Sequence, residues 1–498
     1  VGKVLACTAV SERREHADTA TVLKRLHDMR DNNRKEHMAM STAENVLELI
    51  GNTPMVKVSH IDTGPCELFL KLESQNPGGS IKDRIALSMI EAAEREGLLT
   101  PGGTLVEATA GNTGLGLALV AGQKGYKLTL VIPDKMSQEK IFHLRALGAE
   151  VVLTRSDVGK GHPDYYQDMA QRIAREQGGF FVNQFENPHN PATHERTTGP
   201  EIWQQMEQRL DAVVCGVGSG GTLTGLGRYF ARVAPAVEMV LADPKGSILA
   251  PYVNEGILIT PGSWLVEGIG EDFIPVNCDL SLVAHAYTIT DLESVTIARE
   301  VLRQEGIICG SSSGTLIAAA LRFCREQTIP KRVVTFVCDS GNKYLSKIYN
   351  EYWLDDHGFV VHEETHDLRD LITRPHTRKS AITILPSDTL QDAYRKMKMY
   401  DVSQLPVMEN GNLLGIISET DILLAVMGNP NGFAIPVSEA MAHNLVTVSV
   451  EKSIGDVLPI FEHGMVAIVV DGEEFLGLIT PIDLLQYLRK RIGQATAR

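Results

Sequence analysis

The sequence predicts an α/β domain built on parallel sheet and followed by a small pair of repeated strand–helix units. Between Val46 and about Trp353, short apolar runs rich in β-branched residues alternate with helical stretches, as they do where helices cover both faces of a parallel sheet. Further on, one pattern occurs twice: Gly415, Ser418 and Asp421 return at a constant interval as Gly477, Thr480 and Asp483. The chain is also longer, at 498 residues, than one hydrophobic core usually organises.

Residues 1–40 are polar and charged, with basic pairs at Arg13-Arg14 and Arg34-Lys35, and predict a flexible extension. A domain over 41–354 contains the runs Leu68–Leu72, Val151–Leu153, Ala212–Val217, Met239–Ala242 and Val333–Val337, all read as strands. Residues 355–377 are charged and His-rich with Pro375 near the end, which predicts a linker. The module over 378–492 divides into repeats at about 378–430 and 436–490, each with a β-like run (Leu405–Val407, Ile468–Val470) before its glycine and a helix after it. One unit alone would leave an apolar face bare, so the two are expected to pack together.

A composition of 43% hydrophobic and 22% charged residues is that of an ordinary folded protein. The net charge of -15 opposes a nucleic-acid partner, which needs a concentrated basic face. No apolar run is long enough for a membrane span or a secretory signal, and the seven cysteines form no CxxC pair, so a reduced cytoplasmic protein is expected, with no metal site.

Four segments carry chemistry. In Asn76-Pro-Gly-Gly-Ser80-Ile-Lys82, glycine and proline force a turn, Ser80 is placed to cap the helix that follows, and Lys82 falls in its first turn. There the positive helix end disfavours a charged amine and favours a nucleophile fit for a Schiff base, although a surface lysine in a capped turn has the same local sequence. The loop Thr109-Ala110-Gly111-Asn112-Thr113 between a strand and a helix offers backbone N–H groups and hydroxyls to a carboxylate. Gly216-Val-Gly218-Ser219-Gly220-Gly221-Thr222 is a cradle for a phosphate dianion. It also fits the dinucleotide pattern GxGxxG, with Asp243 placed as a ribose acid, so a nicotinamide dehydrogenase stays open at this point. Ser311-Ser312-Ser313 opens a further helix.

Together these segments resemble the β-family (fold type II) of pyridoxal-phosphate enzymes, to which cysteine synthase belongs, from about Val46 to Trp353, and the repeats resemble paired CBS domains. The resemblance implies pyridoxal 5′-phosphate in Schiff-base linkage to Lys82, Asn112 on its phenolic oxygen, Gly218, Ser219, Gly220, Gly221 and Thr222 around its phosphate, and Ser312 at its ring nitrogen. It assigns Thr109, Ala110, Gly111, Thr113 and Gln184 to the substrate carboxylate. The implied reaction joins L-serine to L-homocysteine through an aldimine at Lys82 and an aminoacrylate, giving cystathionine on the route to cysteine, with hydrogen sulfide as a further product. O-acetylserine with sulfide is the rival substrate pair. Phe185 and Glu271 stand where animal members that make cystathionine have aromatic hydroxyls, and Ala110 replaces a serine found in many relatives. Those members carry haem on an N-terminal extension, but Cys7 and His16 lack that motif and its spacing, so no haem is expected.

In the repeats, Ser418 with Asp421 and Thr480 with Asp483 set a hydroxyl and a carboxylate on one face of a first helical turn. The resemblance implies an adenosine-containing ligand there, S-adenosylmethionine or an adenine nucleotide, while helix capping explains the same residues without one. A homodimer or larger homo-oligomer is the assembly the resemblance implies.

Overall fold

The computed structural model describes residues 42–109, 111–134, 138–158, 161–360, 365–376 and 381–496. The expected N-terminal extension, Cys7, His16 and Ala110 lie outside the described residues. In chain order the first strands are β1 (Met55–Lys57), β2 (Glu67–Lys71), β3 (Thr104–Glu107), β4 (Lys127–Pro133), β5 (Glu150–Thr154) and β6 (Phe180–Phe181). They are followed by β7 (Ala212–Gly216), β8 (Glu238–Pro244), β9 (His285–Ile289) and β10 (Arg332–Phe336).

These strands form two sheets. The larger has the order β1-β2-β10-β7-β8-β9 and is parallel except for β1, which pairs antiparallel with β2; the smaller has the order β5-β4-β3-β6 and is parallel throughout. The inner strands are apolar on both faces because helices cover both: Leu68, Leu70, Val213, Val214, Val240, Leu241, Val333 and Val334 are all fully buried in one core. A second core gathers around Leu105, Leu130 and Ile132 of the smaller sheet and Leu117 of the helix Asn112–Lys124. Two separate cores make two lobes, and the chain crosses from one to the other through the helices Lys82–Arg95 and Gly199–Gln205.

A buried ionic cluster holds that crossing. Arg84 grips Glu73 through Nε (2.7 Å) and Nη2 (2.8 Å), and Glu201 through Nη1 and Nη2 (both 2.7 Å); Lys71, fully buried, reaches the same Glu201 at 2.9 Å. Paired forks satisfy nearly every donor of the guanidinium, which is what makes burying these charges tolerable.

In the C-terminal module β11 (Gln404–Glu409) and β12 (Asn412–Ser418) form one hairpin, while β13 (Thr447–Ser449) joins a second made of β14 (Ala467–Asp471) and β15 (Glu474–Ile479). The two hairpins bulge at corresponding places, between Val407 and Met408 and between Val469 and Val470, so the repeat seen in sequence extends to backbone irregularity. Met408 of the first unit packs on Ile468 and Phe475 of the second, the shared apolar seam expected of the pair. Within the stretch read as linker, Leu368, Leu371 and Ile372 are buried against Val450, Val457 and Ile479, so this part belongs to the second unit's core. Arg489 pairs with Asp356 at 2.6 Å, and Arg374 stacks on Tyr352 with 4.9 Å to the ring centroid, so the C-terminal module and the stretch leading into it touch the helix Glu351–Asp356. Among the described residues no helix is long and apolar enough to cross a membrane.

Candidate active site

Helix N-termini converge on the cleft between the lobes. Lys82 is the first residue of Lys82–Arg95, Asn112 the first of Asn112–Lys124, Gly221 the first of Gly221–Val233, and Ser312 the second of Ser311–Arg325. Ser80 is not the helix cap expected: Ile81 occupies that position without a side-chain bond, and Ser80 Oγ instead accepts from Lys82 N at 3.2 Å.

A cavity of about 280 Å³ lies at this point, lined by Lys82, Thr109, Gly111, Asn112, Thr113, Gln184, Gly218, Ser219, Gly220, Gly221, Thr222 and Ser312. Every described residue that the sequence assigned to cofactor or substrate carboxylate is therefore in one place. Desolvation lowers the Lys82 amine below the usual lysine range, and the neighbouring Cys338, Asp339 and Glu271 partly offset that shift. The helix end was the cause visible in sequence, and removal from water is the one that the structure adds.

The glycine turn is tight enough that no other residue type fits. Gly220 has φ +83°, and a Cβ there would lie 2.5 Å from the Cys278 Cβ; a Cβ on Gly221 would lie 1.9 Å from Asn190 Oδ1. Asn190 is buried and donates through Nδ2 to Ser219 Oγ (2.9 Å) and to the Gln184 carbonyl (2.8 Å). Beneath Thr222 sits His194, whose Nε2 meets Thr222 Oγ1 at 3.3 Å and whose Nδ1 meets Thr198 Oγ1 at 3.0 Å. Burial, reinforced by the charges of Arg84 and Lys82, holds this imidazole neutral, well below the usual histidine range. Neither Asn190 nor His194 was singled out in sequence, and each acts by orienting a hydroxyl of the turn.

Asn112 is clamped from both sides. Lys343 Nζ donates to its Oδ1 (2.7 Å) and its Nδ2 donates to Asp339 Oδ2 (2.8 Å), which fixes the orientation of the amide and leaves one N–H free. Asp339 is fully buried and also accepts from Tyr344 Oη at 2.7 Å; burial raises its pKa. On the carboxylate side, Thr113 Oγ1 donates to Gln184 Oε1 at 2.7 Å. Buried Glu107, pushed up to about 7 by desolvation, accepts from Gln184 N (3.1 Å) and Ala108 N (2.8 Å) and so ties that loop to Gln184.

The dehydrogenase alternative fails on Asp243. This residue is fully buried and does not line the cavity; its Oδ2 accepts from Ala250 N at 2.8 Å, capping Leu249–Glu255 where a ribose acid would have to face a ligand. In the C-terminal module Ser418 and Asp421 form a helix-capping box, Ser418 N and Oγ donating to Asp421 Oδ2 (2.8 and 2.6 Å) and Asp421 N to Ser418 Oγ (3.2 Å), and Thr480 N and Oγ1 likewise donate to Asp483 Oδ2 (2.7 and 2.5 Å). They differ in surroundings. Thr480 and Asp483 line a cavity of about 400 Å³ with Tyr352 and Arg374, whereas Ser418 and Asp421 do not line it.

Comparison with known proteins agrees with this geometry. Residues 46–339 match the family described as pyridoxal-phosphate dependent enzyme, and residues 368–428 and 437–490 each match the CBS domain. The chain is 36% identical to a cystathionine beta-synthase of Apis mellifera, across 89% of this chain and 90% of that protein. It is 43% identical to a cysteine synthase of Staphylococcus aureus, across 62% of this chain and 97% of that protein. Among solved structures it resembles a hydrogen sulfide-producing enzyme from Fusobacterium nucleatum, with a TM-score of 0.57 and 37% identity, covering 61% of this chain and 100% of that one.

Proposed function

Because the chain belongs to the pyridoxal-phosphate dependent enzymes and carries paired CBS domains behind its catalytic domain, we propose that it joins L-serine to L-homocysteine by β-replacement, giving cystathionine. The observation that carries this reading is one desolvated amine, Lys82, sharing a cavity with a glycine phosphate cradle. The cradle fits the cofactor: a Cβ at Gly220 or Gly221 would collide with Cys278 or Asn190 and force the turn out of shape, while Ser219, Thr222 and the N-terminal N–H groups of Gly221–Val233 offer donors to a dianion. Pyridoxal 5′-phosphate, when bound, supplies a carbonyl that takes up an amino group and a ring that draws electrons from Cα.

The residues of the chain divide the remaining work. Gly218 to Thr222 would hold the phosphate, and the free N–H of Asn112 would serve the phenolic oxygen. Ser312 would offer the ring nitrogen a neutral hydroxyl, which gives it little reason to stay protonated and so would favour loss of a β-substituent over transamination. Thr109, Gly111 and Thr113, with Gln184, hold the substrate carboxylate in register. Lys82, its amine pKa lowered by desolvation, takes the proton from Cα and later returns it.

The likeness to cystathionine beta-synthases across nearly the whole chain, repeats included, supports serine and homocysteine as substrates. Phe185 and Glu271 in the cavity wall, together with the cysteine synthase likeness, favour a second reading with O-acetylserine and sulfide. A product assay offering each donor against each thiol separates them: cystathionine formed from serine and homocysteine is expected, and cysteine formed only from O-acetylserine and sulfide overturns the first reading. We place an adenosine-containing ligand, S-adenosylmethionine or AMP, in the cavity beside Thr480 and Asp483, and expect a cytoplasmic homo-oligomer.

A further inference from the structure

Glu271 lines the active-site cavity, and no described residue hydrogen-bonds its carboxylate. Its position is built in. The backbone N–H donates to Ser247 Oγ (3.1 Å), and the carbonyl accepts from both Ser247 Oγ (3.1 Å) and Ile248 N (3.1 Å). Gly268 and Gly270, at φ +87° and +86°, bend the segment against the phosphate turn, where Gly270 N donates to the Val217 carbonyl at 2.8 Å. Glu271 Oε1 ends 4.0 Å from where a Cβ on Gly218 would stand. A carboxyl group aimed into a cavity, pinned at its backbone and without a hydrogen-bond partner among the described residues, is free to act on whatever enters.

We propose that Glu271 is a second catalytic acid and base, serving the groups that leave and enter at Cβ while Lys82 serves Cα. This rests on the β-replacement reading. Lys82 removes the Cα proton, the Cβ–O bond breaks with its electron pair on oxygen, and the Glu271 proton completes a water molecule. The carboxylate left behind takes the S–H proton of the incoming thiol as sulfur bonds to Cβ, and Lys82 returns its proton to Cα. One water leaves for each thioether formed, and both residues end as they began.

The surroundings suit the role. Burial pushes Glu271 up to about 8, with Asp272 and Asp243 adding to the rise and Lys82 opposing it. The phenols of Tyr165 and Tyr166 and the Cys278 thiol also feel its charge. At neutral pH the group is therefore protonated and able to donate to oxygen, and after donating it is about as basic as a thiolate.

The test is Glu271→Gln, compared with the unchanged protein. In single turnovers of the cofactor-loaded enzyme without thiol, loss of the β-substituent falls about 100-fold with serine, and less than about threefold with β-chloroalanine, whose chloride needs no proton. Equal losses with both donors overturn the proposal, since a structural role would not tell them apart. Independently of turnover, isotope-edited infrared titration of the cofactor-free protein shows a glutamic acid band that titrates near the pKa given above and is missing in the variant; its absence from the unchanged protein overturns the proposal as well. An unchanged protein that turns over neither donor defeats the β-replacement reading itself, whereas one that turns over both and shows no split in E271Q defeats only the role of Glu271.

Discussion

Gly221→Ala tests the phosphate cradle most directly, because Gly221 opens a helix with ordinary dihedrals and only the added methyl matters. That methyl lies 1.9 Å from Asn190 Oδ1, a side chain with 1% exposure and no room to retreat. Either the turn shifts or Asn190 leaves its place. If Asn190 leaves, Ser219 Oγ loses its buried donor, while the Gln184 carbonyl keeps a bond from Asn277 Nδ2 at 3.0 Å. One lost hydrogen bond costs about 1 kcal/mol, and overpacking adds about 1 to 3 kcal/mol. A total of about 2 to 4 kcal/mol, felt at the cofactor's phosphate, raises the dissociation constant for pyridoxal phosphate by roughly 30- to 700-fold. Fluorescence titration of cofactor-free protein measures this, with chemical denaturation of the same sample recording whatever share of the strain falls on folding. Asn190→Ala removes the obstacle, so in that background G221A should cost less than about 1 kcal/mol. The same cost in both backgrounds would refute the steric account.

Other expectations follow from the same geometry. Borohydride reduction of the loaded enzyme should fix the cofactor on the peptide containing Lys82, and Lys82→Ala should yield no such adduct by mass spectrometry. Glu201 is held at about 2 against an ordinary 4.5, its carboxylate favoured by Arg84 and Lys71, whose pull exceeds the opposing effect of burial. A depressed carboxyl stabilises the fold above its unfolded pKa and loses that contribution as pH falls toward the folded value, so Glu201→Gln should flatten the acid limb of stability in that window, as read by denaturant midpoints. Asp483→Ala should abolish the heat of S-adenosylmethionine or AMP binding in calorimetry while Asp421→Ala leaves it, because Asp483 and not Asp421 lines the cavity beside Tyr352 and Arg374; equal losses would contradict the assignment.

The parts of the site legible in sequence are those in which a local segment performs the function. The glycine turn, the Thr109 loop, Lys82 and Ser312 each announce themselves as a polar turn opening a helix, and they do so whatever the rest of the chain is doing. The division into two sheets was not legible, because alternating strands and helices look the same whether the strands share one sheet or two. Asn190, His194, Asp339 and Lys343 were missed for a related reason. Each acts on a residue of another segment, such as Lys343 on Asn112, and nothing in its own neighbourhood marks that contact. Leu368 to Ile372 were hidden differently: a short apolar patch in a charged stretch carries no period, and only the neighbouring core shows why it is apolar.

Convergence of helix starts on one cavity creates a difficulty that its anionic residues resolve. Helix N-termini favour the phosphate and the substrate carboxylate, yet the same positive field and the same lack of water favour loss of the Lys82 proton before any ligand arrives. Asp339 opposes that loss, as does Glu271 once it is ionised, and they do so from positions that keep them out of the phosphate cradle: Asp339 lies beneath Asn112 and Glu271 on the segment pinned to Val217. Asp339 is spoken for by Asn112 and Tyr344, so its influence on the lysine is constant. Glu271 has no such partner among the described residues, and its charge changes with its own proton. If it gives up that proton as the β-substituent departs, the negative charge it gains acts on the ammonium that Lys82 has just become, and stabilises it until the proton goes back to Cα. The two groups are then coupled in the useful sense, with Glu271 charged when Lys82 is charged and neutral when it is neutral.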